Sequence, residues 1–89
     1  RGNGLYLLDE PEAALSPQSQ LSLLRAIHRL VKNSSQLVIA THSPFLLSLS
    51  GAKIYDLDES PAAVKHWTEL ESVRTYSDFF RRHAGEFAK

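Results

Sequence analysis

Two short apolar runs with an amphipathic segment between them constrain the fold of this chain more than any other feature of its 89 residues. Residues 5–8 have the pattern of a strand buried on both faces, and residues 37–40, which are rich in β-branched side chains, have the pattern of a second short strand. Residues 17 to about 32 predict a helix that Ser16 caps and Pro17 opens. Its apolar positions recur at helical spacing, at Leu21, Leu24, Ile27, Leu30 and Val31. Strand, helix and strand with short connections predict a βαβ crossover, whose parallel strands end at the same edge of a sheet.

A second set of short elements is predicted after the second strand. Ser43 and Pro44 repeat the cap and first-turn pair of the long helix, so we expect a brief helical turn that Gly51 ends. Residues 53–58 alternate outer polar and inner apolar side chains, which predicts a third strand, and residues 63–67 predict a short edge strand. The fold class is therefore α/β.

The tail from Thr75 has the pattern of an amphipathic C-terminal helix. We expect its aromatic residues to be core anchors rather than a base-stacking platform. They are Tyr76, Phe79, Phe80 and Phe87. Arg81, Arg82 and His83 could contact DNA phosphates, but their charge is local, so a solvated helix face is the favoured interpretation.

Composition limits the class of protein. Ten basic residues balance ten acidic ones, so the chain has no overall field that would favour nucleic acid or a basic partner. There is no Cys for disulfides or Cys-based metal sites, and no apolar run approaches the roughly 20 residues of a membrane span. We expect a soluble, cytoplasmic protein. Because the chain starts without Met and enters a strand within a few residues, we also expect a piece of a longer protein.

Polar residues follow both strands of the predicted crossover, at the point where each strand ends. Asp9 and Glu10 follow the first strand, and Thr41 and His42 follow the second. Ligands of parallel α/β sheets bind outside the carboxyl ends of the strands. There, one carboxylate can hold Mg²⁺, a second can orient or deprotonate an attacking water, and a His can donate a hydrogen bond to developing charge on a γ-phosphate. These residue types suit nucleotide hydrolysis.

The stretches "LYLLDEPEAALSP" and "LVIATHSPFLL" resemble the C-terminal half of an ABC-type ATPase nucleotide-binding domain. They are most similar to its stand-alone, non-transporter relatives, the RecF-like, SMC-like and OLD-like predicted ATPases. The similarity covers roughly residues 4–58, and the tail "TYSDFF" also resembles the end of small single-domain members. The resemblance implies a three-layer, parallel-sheet P-loop NTPase fold, of which residues 1–89 are a partial domain that runs from Walker B to the switch His and a C-terminal helix.

The resemblance also implies a role for each residue at the strand ends. Asp9 ends the Walker B strand and binds Mg²⁺, Glu10 is the catalytic glutamate, and His42 is the switch-loop histidine. Leu15 and Ser16 lie in the D-loop, which crosses the nucleotide interface of a head-to-tail homodimer. The implied ligands are ATP and Mg²⁺, and relatives of this kind suggest DNA or an effector or toxin system as a further partner.

Two features of the family pattern are absent from this sequence. No G-x-x-x-x-G-K-[ST] phosphate loop occurs, and the signature helix that precedes Walker B is missing. We therefore expect this chain alone to neither bind nor hydrolyse ATP. Ser16 also stands where transporter members commonly have Asp. Family topology places the phosphate-loop strand between the His42 strand and residues 53–58, which implies a gap in the sheet and an unstable isolated chain.

Simpler alternatives remain for several residues. The acidic pair alone would favour a solvated loop start, and His42 alone a structural His. Glu12 could support the metal site, but a solvated turn acid is the favoured interpretation, and the Ser16 and Ser43 hydroxyls are interpreted as helix caps. For the whole protein, the alternative to an ATP-hydrolysing engine is a nucleotide-sensing or structural interaction module with little or no turnover.

Overall fold

The computed structural model describes residues 4–33 and 35–88, and the chain divides into two units, Arg1–Gly51 and Ala52–Lys89. The first unit contains β1 (Leu5–Asp9), α1 (Pro17–Lys32), β2 (Gln36–Ala40) and α2 (Pro44–Leu47). The second contains β3 (Ile54–Asp56), β4 (Ala63–Lys65), a 3₁₀ turn (Trp67–Glu69), α3 (Glu71–Arg82) and α4 (Ala84–Phe87). The mixed α/β class is confirmed. Among the described residues, no helix combines the length and apolarity needed to cross a membrane.

The first unit is built on a parallel pair of strands. β1 and β2 pair in the register Leu5 to Gln36 through Asp9 to Ala40, and α1 connects them. The predicted βαβ crossover is therefore confirmed, and the carboxyl ends of both strands lie at one edge.

Helix α1 begins and ends where its sequence pattern predicts. The Ser16 hydroxyl accepts a hydrogen bond from the Ser19 N–H at 3.1 Å, and Pro17 takes the first helical position, where an N–H would have no partner. Ile27 on its inner face is 2% exposed. Arg29 and Lys32 fall in the last turn, where a positive charge favours the helix dipole.

The prediction that the first strand is buried on both faces is wrong. Leu5, Leu7 and Val38 share one face and are 63%, 72% and 61% exposed. Leu37 and Ile39 point to the opposite face and are partly buried, because α1 packs against β2 on that side. The described part of this unit has no element over the exposed apolar face.

The second capping pair behaves like the first. The Ser43 hydroxyl accepts a hydrogen bond from the Leu46 N–H at 3.4 Å, and Leu46 is 4% exposed. Helix α2 ends at Leu47 rather than at Gly51, which adopts a left-handed φ of +82° further along the connection.

The second unit contains a short antiparallel hairpin, in which β3 and β4 are shorter than predicted. Its partly buried acid, Asp56, faces inward, whereas Tyr55 is 57% exposed, so the predicted alternation of outer polar and inner apolar residues fails here. The reason is an ion pair: Lys65 Nζ lies 2.6 Å from Glu59 and 2.9 Å from Asp56. Hydrogen bonds to Glu59 and Asp56 raise the pKa of Lys65, and the Lys65 ammonium lowers the pKa of Asp56.

The C-terminal helix begins earlier than predicted, at Glu71, and its buried residue is Val73. The expectation that its aromatic residues are core anchors is wrong in this structure. The exposed fractions are 51% for Tyr76, 47% for Phe79 and 51% for Phe80, all in α3, and 64% for Phe87 in the separate helix α4. The three phenylalanines contact one another instead: the rings of Phe79 and Phe80 meet edge to face with centroids 5.3 Å apart, and those of Phe80 and Phe87 are 6.1 Å apart. Arg81 pairs with Asp78 at 3.1 Å, which favours the solvated interpretation of the basic cluster.

We predict that the 89-residue chain purified alone self-associates and lacks a cooperative thermal transition, because the β1–β2 pair presents an apolar face and open edges. Light scattering and circular dichroism measure both properties. The double substitution Leu7→Thr and Val38→Thr should reduce association, whereas Leu57→Thr, at a residue 80% exposed in the other unit, should not. A monodisperse wild-type monomer with a cooperative transition would contradict the prediction.

Candidate active site

The end of β1 continues one hydrogen bond beyond the strand. Asp9 pairs with Ala40 in the register, and the Glu10 N–H donates a 2.6 Å hydrogen bond to the Ala40 carbonyl. Pro11 follows and has no N–H, so it cannot extend the ladder. Glu10 is therefore fixed at the point where the chain leaves the sheet.

A tight turn then reverses the direction of the chain. Glu10 and Ala14 have φ values of +48° and +67°, the left-handed region that side chains other than Gly seldom adopt. Between them, the Ala13 N–H donates to the Glu10 carbonyl at 3.0 Å, and the Leu15 N–H donates to the Glu12 carbonyl at 2.9 Å. The turn holds Glu10 and Glu12 at the sheet edge.

The structure brings Glu10 and His42 together. Glu10 Oε2 lies 4.0 Å from His42 Nδ1, and the two side chains are 58% and 84% exposed. At that distance and exposure the contact is weak, because water screens an ion pair at the surface. The two side chains are adjacent and exposed at the sheet edge.

Asp9 is exposed, and its carboxylate makes no hydrogen bond or ion pair with any described residue. No group of three His, Cys, Asp or Glu side chains within residues 4–33 and 35–88 could hold a metal ion. Mg²⁺ is commonly bound by one or two carboxylates, together with waters and phosphate oxygens, so one free carboxylate at the sheet edge fits that donor set.

Leu15 and Ser16 lie on the connection between the turn and α1, and both are exposed. The Ser16 hydroxyl caps α1, and the Leu15 carbonyl accepts a hydrogen bond from Gln20 Nε2 at 3.1 Å. Neither side chain bonds to Asp9 or Glu10 in the structure. The cap interpretation of Ser16 is confirmed, and both residues remain on a solvent-facing segment.

The interpretation of Glu12 as a solvated turn acid is wrong. Its carboxylate accepts a 2.7 Å hydrogen bond from the Thr41 hydroxyl and a 3.2 Å hydrogen bond from the His42 N–H. Partial burial works to raise the pKa of Glu12, but the hydrogen bonds from Thr41 and from the backbone outweigh it and hold the pKa below its ordinary value. Glu12 is a bridge between the strand ends and not a solvated turn acid.

The bridge extends to helix α1. The Thr41 hydroxyl oxygen accepts the Ser43 N–H at 3.0 Å, and the Ser43 hydroxyl donates to Gln20 Oε1 at 2.6 Å. The sequence carries one signal that Glu12 and Thr41 could meet. Each lies within three residues of the end of one of two neighbouring parallel strands.

We predict that Glu12→Gln destabilises the intact protein by about 1 kcal/mol near neutral pH, because the amide group cannot accept both hydrogen bonds. Since folding lowers the pKa of Glu12 from its ordinary 4.5, the stability that its carboxylate contributes is complete above that pH and is lost as the pH falls through the folded-state pKa. Urea denaturation at several pH values measures this. Glu10→Gln in the same turn is the control and should lose stability at acid pH as wild type does. If Glu12→Gln loses as much stability at acid pH as wild type, the assignment is contradicted.

The comparison of this chain with known proteins is consistent with the geometry of the strand ends. A search of curated proteins and a search of solved structures find no match. A family model described as the AAA ATPase domain matches residues 1–47, a segment that includes the turn and both strand ends. Because the match covers more than half of the 89 residues, the chain belongs to the AAA ATPase domain family.

Proposed function

We propose that this chain contributes the metal-binding and water-activating half of an ATP-hydrolysing site in a longer, ABC-type, non-transporter ATPase. The observation that supports the proposal most is the parallel pairing of β1 with β2, which brings Glu10 to within 4.0 Å of His42 at one sheet edge. Both residues lie in the segment that the AAA ATPase domain family matches.

Asp9 is the proposed ligand of Mg²⁺. Its carboxylate is exposed at the end of β1 and has no partner among the described residues, so it is available for a cation. When bound, Mg²⁺ would neutralise negative charge on the phosphates of ATP. Asp9 and the adjacent Glu10 are both carboxylates, but Asp9 would bind the metal whereas Glu10 would act on the water.

Glu10 is the proposed base. Its carboxylate would accept a proton from the attacking water, and the hydrogen bond of its N–H to Ala40 fixes the backbone from which the carboxylate projects. His42 would donate a hydrogen bond to the γ-phosphate, where negative charge grows in the transition state. Because both side chains are exposed, ATP can approach them from solvent.

Other parts of the site must come from elsewhere in the protein, because the sequence has no phosphate loop. The exposed Leu15 and Ser16 are proposed to contact a second copy in a head-to-tail homodimer that encloses ATP. Similarity to RecF-like, SMC-like and OLD-like ATPases, a cytoplasmic location and a DNA or effector partner remain predictions.

We predict that Glu10→Gln in the intact protein lowers Mg²⁺-dependent ATP turnover by about 10²- to 10⁴-fold, the usual contribution of a general base. ATP affinity should stay within about twofold, because the amide keeps the size of the side chain and loses only its basicity. Steady-state phosphate release and equilibrium binding of ATP measure the two quantities.

Glu71→Gln is the matched control, since Glu71 is an exposed acid of the other unit without a side-chain partner among the described residues. An unchanged rate in Glu10→Gln would show that Glu10 is not the base. Wild-type protein that binds ATP without Mg²⁺-dependent turnover would instead support a nucleotide-sensing module.

A further inference from the structure

We propose that Glu12 and Gln20 are positioning residues for His42: the two side chains hold the segment Thr41–Ser43 in place through a chain of hydrogen bonds. The inference rests on the proposed function, because it assigns to His42 a part in ATP hydrolysis. Neither residue needs to touch the nucleotide to affect the reaction.

Glu12 fixes the backbone of His42 directly. One carboxylate oxygen accepts the His42 N–H at 3.2 Å, and the other accepts the Thr41 hydroxyl at 2.7 Å. Two contacts from one rigid carboxylate restrain both the position and the orientation of the segment. The imidazole, which is 84% exposed, has no comparable restraint of its own.

Gln20 fixes the same segment from the other side. Its Oε1 accepts the Ser43 hydroxyl at 2.6 Å, and its Nε2 donates to the Leu15 carbonyl at 3.1 Å. Ser43 is only 4% exposed, so loss of the Gln20 acceptor would leave a buried hydroxyl with one partner fewer. The Gln20 side chain therefore restrains both the segment Thr41–Ser43 and Leu15, the residue proposed to contact a second copy.

The bonds form a continuous series from the turn to helix α1. It runs from Glu12 to the Thr41 hydroxyl, from there to the Ser43 N–H, and from the Ser43 hydroxyl to Gln20. Because Glu12 follows Glu10 by two residues in the same turn, the series ties the His42 backbone to the turn that carries the proposed base. A displacement of about 1 Å at a reacting group can change the rate about 10²-fold.

The first test needs no enzymatic activity. Site-resolved amide hydrogen exchange in the intact protein should be about tenfold faster at His42 in Glu12→Gln, the factor expected when a hydrogen bond to a charged group is lost. Glu10→Gln should leave exchange at His42 within about twofold of wild type. Equal exchange in wild type and Glu12→Gln would overturn the proposal, even in a protein without turnover.

The second test separates positioning from general stability. Glu12→Gln should lower kcat for ATP by about tenfold or more with little change in KM, and should have no further effect in a His42→Ala background. Thr41→Ser should retain activity and Thr41→Val should lose it, because only Ser keeps the hydroxyl. Multiplicative effects of Glu12→Gln and His42→Ala would show that Glu12 does not act through His42.

Gln18 provides a matched control for Gln20. It is an exposed glutamine of the same helix turn, and its side chain makes no hydrogen bond with the described residues. Gln20→Ala should lower kcat, whereas Gln18→Ala should not, and equal effects would overturn the assignment of Gln20. If wild type lacks turnover while Glu12→Gln still accelerates exchange at His42, the proposed function fails and the positioning of the His42 backbone stands.

Discussion

The parallel register of β1 and β2 is the constraint on which the candidate site depends. Since side chains alternate between the two faces of a sheet, a slip of one residue would turn the partly buried Leu37 and Ile39 away from α1. The same register sets Asp9 opposite Ala40 and lets the Glu10 N–H reach the Ala40 carbonyl. Burial of apolar side chains on one face thus determines where the acidic residues lie at the edge.

The turn after β1 shows how this position is maintained at a local cost. Left-handed φ angles at Glu10 and Ala14 disfavour folding by roughly 1–2 kcal/mol each. The hydrogen bonds that Glu12 accepts from the Thr41 segment work in the opposite direction, because charge-assisted bonds are among the stronger ones in proteins. The strained turn and the hydrogen bonds of Glu12 that oppose this strain are therefore parts of the same local structure.

The elements that the sequence predicts correctly are those with local causes. Ser16, Pro17 and the helical spacing of apolar residues define α1, and the two apolar runs define the parallel strands. The role of Glu12 could not be predicted from neighbouring residues, because its hydrogen bond to Thr41 joins residues 29 positions apart and requires the left-handed turn. The exposure of the aromatic residues of α3 could not be predicted for another reason. An amphipathic pattern predicts an apolar face, but it does not predict what covers that face in a given chain.

The site combines a restrained backbone with unrestrained side chains. Glu12 holds the His42 N–H, and Ala40 holds the Glu10 N–H, whereas the 4.0 Å contact between the Glu10 and His42 side chains lies in solvent. Electrostatic stabilisation of a transition state is strong only where water is excluded, so this edge in its exposed form is poorly suited to catalysis. If the proposed function holds, the surface that covers the edge supplies the low dielectric, and the backbone hydrogen bonds of Glu10 to Ala40 and of His42 to Glu12 already fix the points from which the two side chains project.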